Sequence, residues 1–123
     1  MNDVLIVEDE PNVRLFFEQA FKRLAVPCRV AATGAKALQL AQDRWPALIL
    51  LDLTLPGRFD GWQVWDELSY IAHNRPLRVI VCAAQADSLV RAECARRGAA
   101  GFLRKPVLLD DLAASVNAHL PST

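Results

Sequence analysis

Four residues of this chain have the type and placement to do chemistry together: Glu8, Asp9, Asp52 and Lys105. Asp52 ends the apolar run Leu48–Leu51, and Leu55, Pro56, Gly57 and Asp60-Gly61 follow it as a turn-rich segment. A continuous apolar run bounded by breakers reads as a strand buried on both faces of a sheet. A carboxylate is costly to bury unpaired. Asp52 is therefore expected at the C-terminal end of its strand, where it meets water, metal or substrate. Glu8-Asp9-Glu10 follows the short run Val4–Val7 in the same way, and Lys105-Pro106 follows Ala100–Leu103. In open α/β sheets that rim is where ligands bind.

The elements that must position these residues alternate in type. After the first strand, Pro11 suits the first turn of a helix. Phe16, Phe17, Ala20, Phe21 and Leu24 recur there at helical spacing, with Arg14, Glu18, Lys22 and Arg23 on the other side. Residues 27–32 read as a second strand, and Thr33 as the N-cap of a helix over residues 35–43. Residues 47–51 form the third strand. Gly61 opens a helix through Trp62, Val64, Trp65, Leu68 and Ile71. Residues 77–82 are β-branched enough for a fourth strand. Asp87 caps a fourth helix that ends at Arg96-Arg97-Gly98. Residues 100–103 are a short fifth strand, and a last helix covers residues 109–120. Five β-α units imply a doubly wound parallel sheet with helices on both faces. Right-handed crossovers leave few topologies, and the flavodoxin-like order 2-1-3-4-5 suits this length.

In that order the first and third strands are central neighbours, so Glu8, Asp9 and Asp52 converge, with Lys105 opposite. Clustered carboxylates raise one another's pKa values unless a cation joins them. Hard oxygen ligands on a shallow rim suit Mg²⁺, which takes one or two carboxylates plus a phosphate oxygen. Asp52 is then free to act as a nucleophile that forms an aspartyl phosphate. Each acid alone could merely favour a helix N-terminus; their shared position at matching strand ends makes coincidence a poor explanation. Other phosphate chemistries fit worse. The turn EDEPN has no glycines to cradle phosphate on backbone amides. Asp52-Leu53-Thr54 lacks the second acid of a haloacid-dehalogenase-type DxD pair. His73 and His119 fall at helix ends and read as surface residues, and Cys82 as packing.

The 123 residues suit one domain at roughly 100–200 residues each. Residues 1–123 read as that domain, with Pro121-Ser122-Thr123 as a tail or the start of a linker. Formal net charge is +0, which argues against binding to the phosphate backbone of nucleic acid or to an anionic membrane. Cys28, Cys82 and Cys94 are odd in number and widely spaced, which fits a reducing cytoplasm better than a disulfide framework or zinc site. Neither a signal peptide nor a membrane-spanning run is evident.

At this point the chain resembles the receiver domain of two-component response regulators. LIVEDEPNVR resembles the acidic start of that family, LILLDLTLPGRFDG its phosphoacceptor segment, and GAAGFLRKP its closing segment. The resemblance covers essentially the whole chain. It implies that Asp52 is phosphorylated by a histidine kinase or histidine phosphotransfer protein. It implies that Asp9, Asp52 and the Thr54 carbonyl bind Mg²⁺ directly and Glu8 through water. Lys105 is implied to bond the phosphoryl group and to precede a cis proline, and Phe102 to stand at the aromatic switch position. Thr54 and Gln85 match the positions that tune hydrolysis. The only catalysis implied is on the domain itself, so no separate enzyme activity is expected.

One departure carries weight. In RVIVCAAQ, Ala83 stands where the family usually has a Thr or Ser that bonds the phosphoryl oxygen. That bond, to a charged group, is worth roughly 1.5–3 kcal/mol. The Ala84 amide remains, and Cys82 should point to the opposite face. The alternative function is therefore an interaction module with the receiver fold, whose output is weakly coupled to phosphorylation. Phe102 also replaces the frequent tyrosine, and Arg58-Phe59 lengthens the turn after Asp52. Val13 and Leu15 are candidates for docking the phosphodonor. Trp62 and Trp65 read as core edge, and the last helix, with Leu108, Leu109, Leu112 and Val116, as core. Its exposed side is a candidate partner face with the fifth strand and fourth helix, as in the family. Arg91, Arg96 and Arg97 read as a solvated face. Output and oligomeric state are left open.

Overall fold

A computed structural model describes residues 3–53, 60–84 and 87–120. The elements run β1 (Val4–Val7), α1 (Pro11–Arg23), β2 (Cys28–Ala31), α2 (Gly34–Asp43), β3 (Leu48–Asp52), α3 (Gly61–Ala72), β4 (Val79–Ala83), α4 (Ser88–Arg97), β5 (Gly101–Arg104) and α5 (Leu109–His119). The five strands pair in the order β2-β1-β3-β4-β5, every pair parallel. This is the doubly wound, flavodoxin-like topology expected from the alternation of strand and helix patterns. No helix among the described residues is long and apolar enough to cross a membrane.

Successive strand residues face opposite sides of the sheet, so two cores form. Leu5, Val7, Ile49, Leu51, Val79 and Val81 pack against Ala37, Ala41, Val64, Leu68 and Cys94 of α2, α3 and α4. Val4, Ile6, Leu48, Leu50, Ile80 and Cys82 pack against Phe17, Phe21, Leu112 and Val116 of α1 and α5. Cys82 thus lies on the α1/α5 side, opposite the α2–α4 side shared by Val79 and Val81. Burial drives its thiol pKa up, which leaves it inert packing. β3, β4 and β5 end one residue later than their apolar runs suggest, because Leu53 donates to the Cys82 carbonyl and Lys105 to the Ala83 carbonyl. The parallel ladder therefore extends to the rim.

The helix ends are chemically specified. Thr33 accepts from the Lys36 amide, and Asp87 from the Val90 amide. Asp60 and Gln63 form a reciprocal capping box. Gly98 ends α4 at φ 77°, in the left-handed region that favours glycine.

Three surface readings change. Arg97 is clamped over the Trp62 and Trp65 rings, 4.9 and 5.5 Å from their centroids, and pairs with Asp66 and Glu93. Arg91 covers the Phe102 ring at 4.7 Å. Arg91 stays exposed while it covers that ring, and Arg96 is exposed and pairs with Glu93, whose pKa falls to about 2 through its bonds to Arg96 and Arg97. The reason is the composition of α4. Cys94 is its one buried residue, so its contacts to the body include arginine stems and guanidinium faces. Leu108 is not core: it is the extended N-cap of α5 and is 64% exposed, whereas Leu112 and Val116 are fully buried. Arg14 is half-buried and turned back toward β1 instead of facing solvent.

At the sheet end remote from the rim, Asp3 is 1% exposed and bonds Arg29 at 2.6 Å and Arg44 at 3.0 Å. Arg29 also donates to the Leu40 and Arg44 carbonyls at the end of α2. Arg29→Met would leave Asp3 buried with the half-exposed Arg44 alone. A loss of about 3 kcal/mol is expected, read as a lower urea midpoint at unchanged slope.

Candidate functional site

The site is built by strand register. Val7 pairs with Leu51, and Asp52 with Cys82. One step beyond Val7, Glu8 comes level with Asp52, and its amide still donates to the Ala31 carbonyl of β2. Cys82 pairs with Leu103 and Ala83 with Arg104, which delivers Lys105 to the same rim. Glu8 and Asp9, 44 and 43 positions from Asp52 in sequence, are thus brought to it by strand pairing.

Glu8 and Asp52 are 1% and 3% exposed, and Asp9 is half-buried. One carboxylate oxygen from each of Glu8, Asp9 and Asp52 can be chosen so that all lie within 4.8 Å of one another. Lys105 Nζ is 2.7 Å from Glu8 Oε1 and 3.3 Å from Asp52 Oδ1. Burial disfavours its charge, but the two carboxylates outweigh that and hold the Lys105 pKa above its ordinary value. Asp52 is more enclosed than a rim position suggests, because Lys105 lies against it. The Lys105–Pro106 peptide is cis, as the resemblance implied.

The turn that carries the acids is itself held. Glu8 Oε2 accepts from the Glu10 amide at 3.2 Å. Arg14 Nη1 donates to the Glu8 carbonyl at 3.1 Å and the Asp9 carbonyl at 2.7 Å. Helical periodicity alone puts Arg14 on the outer side of α1. The missed signal is its place one turn into a helix that follows an acidic strand end directly.

The remaining predicted residues divide. Ala83 is buried at the end of β4 on the α2–α4 side, and Ala84 is exposed beside it. Phe102 is half-buried against the α2–α4 core under Arg91. Thr54, Gln85 and the Arg58-Phe59 turn lie outside the described residues. Val13 is half-buried and Leu15 is 53% exposed.

The donor set suits a hard divalent cation. It is carboxylate oxygen throughout, and the nearby Cys82 thiol is held protonated in the core. Glu8 Oε1 is buried and has no aligned hydrogen-bond donor among the described residues, its Lys105 contact being a close ion pair. Among the described residues Lys105 pairs with two of these three acids, Glu8 and Asp52, and a cation among clustered carboxylates is electrostatically favoured. Glu8, Asp9 and Asp52 are the side chains that fit Mg²⁺.

Comparison with known proteins agrees with this geometry. Residues 4–117 match the family model described as "Response regulator receiver domain". The chain is 30% identical over 122 residues to sporulation initiation phosphotransferase F of Bacillus subtilis, covering 98% of this chain and 96% of that one. It is 34% identical over 112 residues to regulatory protein AtoC of Escherichia coli, covering 91% of this chain but 24% of that protein. Among solved structures, the signal receiver domain of a putative LuxO repressor protein from Vibrio parahaemolyticus superposes with a TM-score of 0.87 at 31% identity, over 96% of this chain and 88% of that one. Chemotaxis protein CheY4 of Vibrio cholerae shares the fold at a TM-score of 0.89 and 22% identity, over 98% and 99% of the two chains.

Gly61 supports the site from behind. A Cβ there would stand 2.5 Å from the Leu53 Cα and 2.7 Å from the Asp52 carbonyl oxygen, both backbone atoms. Gly61→Ala must push α3 away from the end of β3. A loss of about 2 kcal/mol is expected, measured by urea unfolding, together with displaced Asp52 and Leu53 amide resonances in the folded variant.

Proposed function

The chain belongs to the response regulator receiver domain family, and from that premise we propose that it accepts a phosphoryl group on Asp52 from a phosphohistidine, with Mg²⁺, in a two-component phosphorelay. The observation that carries this reading is the convergence of Asp52 with Glu8, Asp9 and Lys105 at one sheet edge. An Asp52 carboxylate oxygen attacks phosphorus in line with the leaving nitrogen. The P–O bond forms as the P–N bond breaks, and the electron pair leaves on the imidazole. Lys105 balances negative charge on the phosphoryl oxygens as the bond changes. Asp9, Asp52 and Thr54, with Glu8, would hold Mg²⁺, which when bound would further neutralise those oxygens. The Ala84 amide completes the phosphoryl contacts, while Thr54 and Gln85 match the family positions that tune hydrolysis of the acyl phosphate. The domain acts on itself and turns over no separate substrate.

The partner is a histidine kinase or a histidine phosphotransfer protein. Val13, with Asn12, Phe16, Pro106 and Val107, lines an apolar groove beside Lys105, and exposed Leu15 lies on the same helix. A donor docked over that groove sits beside Lys105, which lies against Asp52. The similarity to a sporulation phosphotransferase supports a relay role of this kind.

Ala83 supports a second reading, in which phosphorylation is weakly coupled to output. No hydroxyl at this buried position draws β4 toward the phosphoryl group, and Phe102 is already held by Arg91.

Two measurements test these readings. Wild type incubated with Mg²⁺ and acetyl phosphate is expected to gain one phosphoryl group by intact mass, and Asp52→Asn none; equal masses sink the first reading. Lys105→Met is expected to slow the gain about a hundredfold. With beryllofluoride and Mg²⁺, the Phe102 ring resonances are expected to move little in wild type and substantially in Ala83→Thr. Large movement in wild type refutes weak coupling.

A further inference from the structure

The carbonyls of Glu8 and Asp9 lie beyond the last residue of β1, where the ladder no longer supplies donors. Backbone carbonyls in such a position need a partner. Arg14 Nη1 serves both, at 3.1 and 2.7 Å, from the first turn of α1. These two carbonyls belong to the peptide groups on either side of Asp9. Holding both peptide planes decides where the Asp9 Cα–Cβ bond points. The Glu8 side chain is tied into the same unit, since its Oε2 accepts from the Glu10 amide at 3.2 Å. None of this is needed to start α1, whose N-cap is Glu10 and whose first position is Pro11. The bonds run backward, out of the helix and into the acidic turn.

We propose that Arg14 is a positioning residue for the cation site: its guanidinium locks the peptide groups flanking Asp9 and so sets the Glu8 and Asp9 carboxylates for Mg²⁺. Water could satisfy the same two carbonyls, but it would not fix their planes relative to α1. The guanidinium does so because its stem is anchored on the helix and its donors are rigidly disposed. The inference rests on the assignment of Glu8, Asp9 and Asp52 as the cation ligands.

Calorimetric titration with MgCl₂ at constant ionic strength tests it. Arg14→Gln and Arg14→Met are expected to bind Mg²⁺ about ten- to a hundredfold more weakly than wild type, with urea midpoints close to wild type. Arg14→Lys, which keeps a donor cation, is expected to recover part of the affinity. In the Mg²⁺-free variants the Glu10 amide is expected to exchange about tenfold faster while amides in the middle of α1 do not change. In the wild type, the Arg14 guanidinium resonances are expected to shift on Mg²⁺ addition, a readout that needs no variant to fold. Wild-type Mg²⁺ affinity in a folded neutral variant, or guanidinium resonances indifferent to Mg²⁺, overturns the positioning role alone. Absence of Mg²⁺ binding by the wild type overturns the cation site as well.

Discussion

The constraint on which the site depends is the in-register parallel pairing of β1 with β3. Val7 opposite Leu51 leaves Glu8 level with Asp52, and two buried carboxylates side by side are unfavourable without positive charge. Lys105 meets that need from β5, two strands away, through the β3–β4 and β4–β5 ladders. Its raised pKa is the other side of the same interaction: the acids that need the ammonium also hold its proton. Sheet register, charge balance and the rim site are thus one feature described at three levels.

The two ends of the sheet make an instructive contrast. Remote from the rim, one buried carboxylate, Asp3, meets two guanidiniums, Arg29 and Arg44. Both guanidiniums meet the same Asp3 oxygen, Oδ2, and the group ties β2 to the end of α2. At the rim the arrangement reverses: among the described residues one ammonium, Lys105, pairs with two buried carboxylates, Glu8 and Asp52, with Asp9 close by. Ionisable groups clustered in this way are characteristic of functional sites.

Away from the rim, the α2–α4 side is held differently from the acid cluster. Ala83 at the end of β4 offers only a methyl group, and Phe102 is packed between that core and the Arg91 guanidinium. α4 buries little apolar surface, and arginine contacts to Trp62, Trp65, Phe102 and Asp66 help to hold it. A helix attached in this way has a modest energetic connection to the sheet.

Much of this protein was determined by its sequence alone. Apolar runs of strand length alternating with amphipathic segments imply the parallel sheet, because only that arrangement buries both strand faces. Acids and a lysine following those runs imply the shared rim, because parallel strands end on one edge. The caps Thr33, Asp60 and Asp87 are local chemistry, so their effect is readable locally. What the tertiary structure decided was where the arginines go. Their long stems let the charged group reach several ångströms in directions that periodicity does not encode. Arg97 and Arg91 thus lie over aromatic rings contributed by other elements, Arg29 closes the end of a helix remote in sequence, and Arg14 turns back to the acids. Leu108 shows the converse case: its residue type suggests burial, but its place at the N-cap of α5 directs it outward. The strand ends around Asp52 also required the structure, since the last ladder bonds depend on the neighbouring strand as much as on the residues themselves. The clustered carboxylates are legible as a pattern; the peptide planes and cations around them are set only when the strands pair.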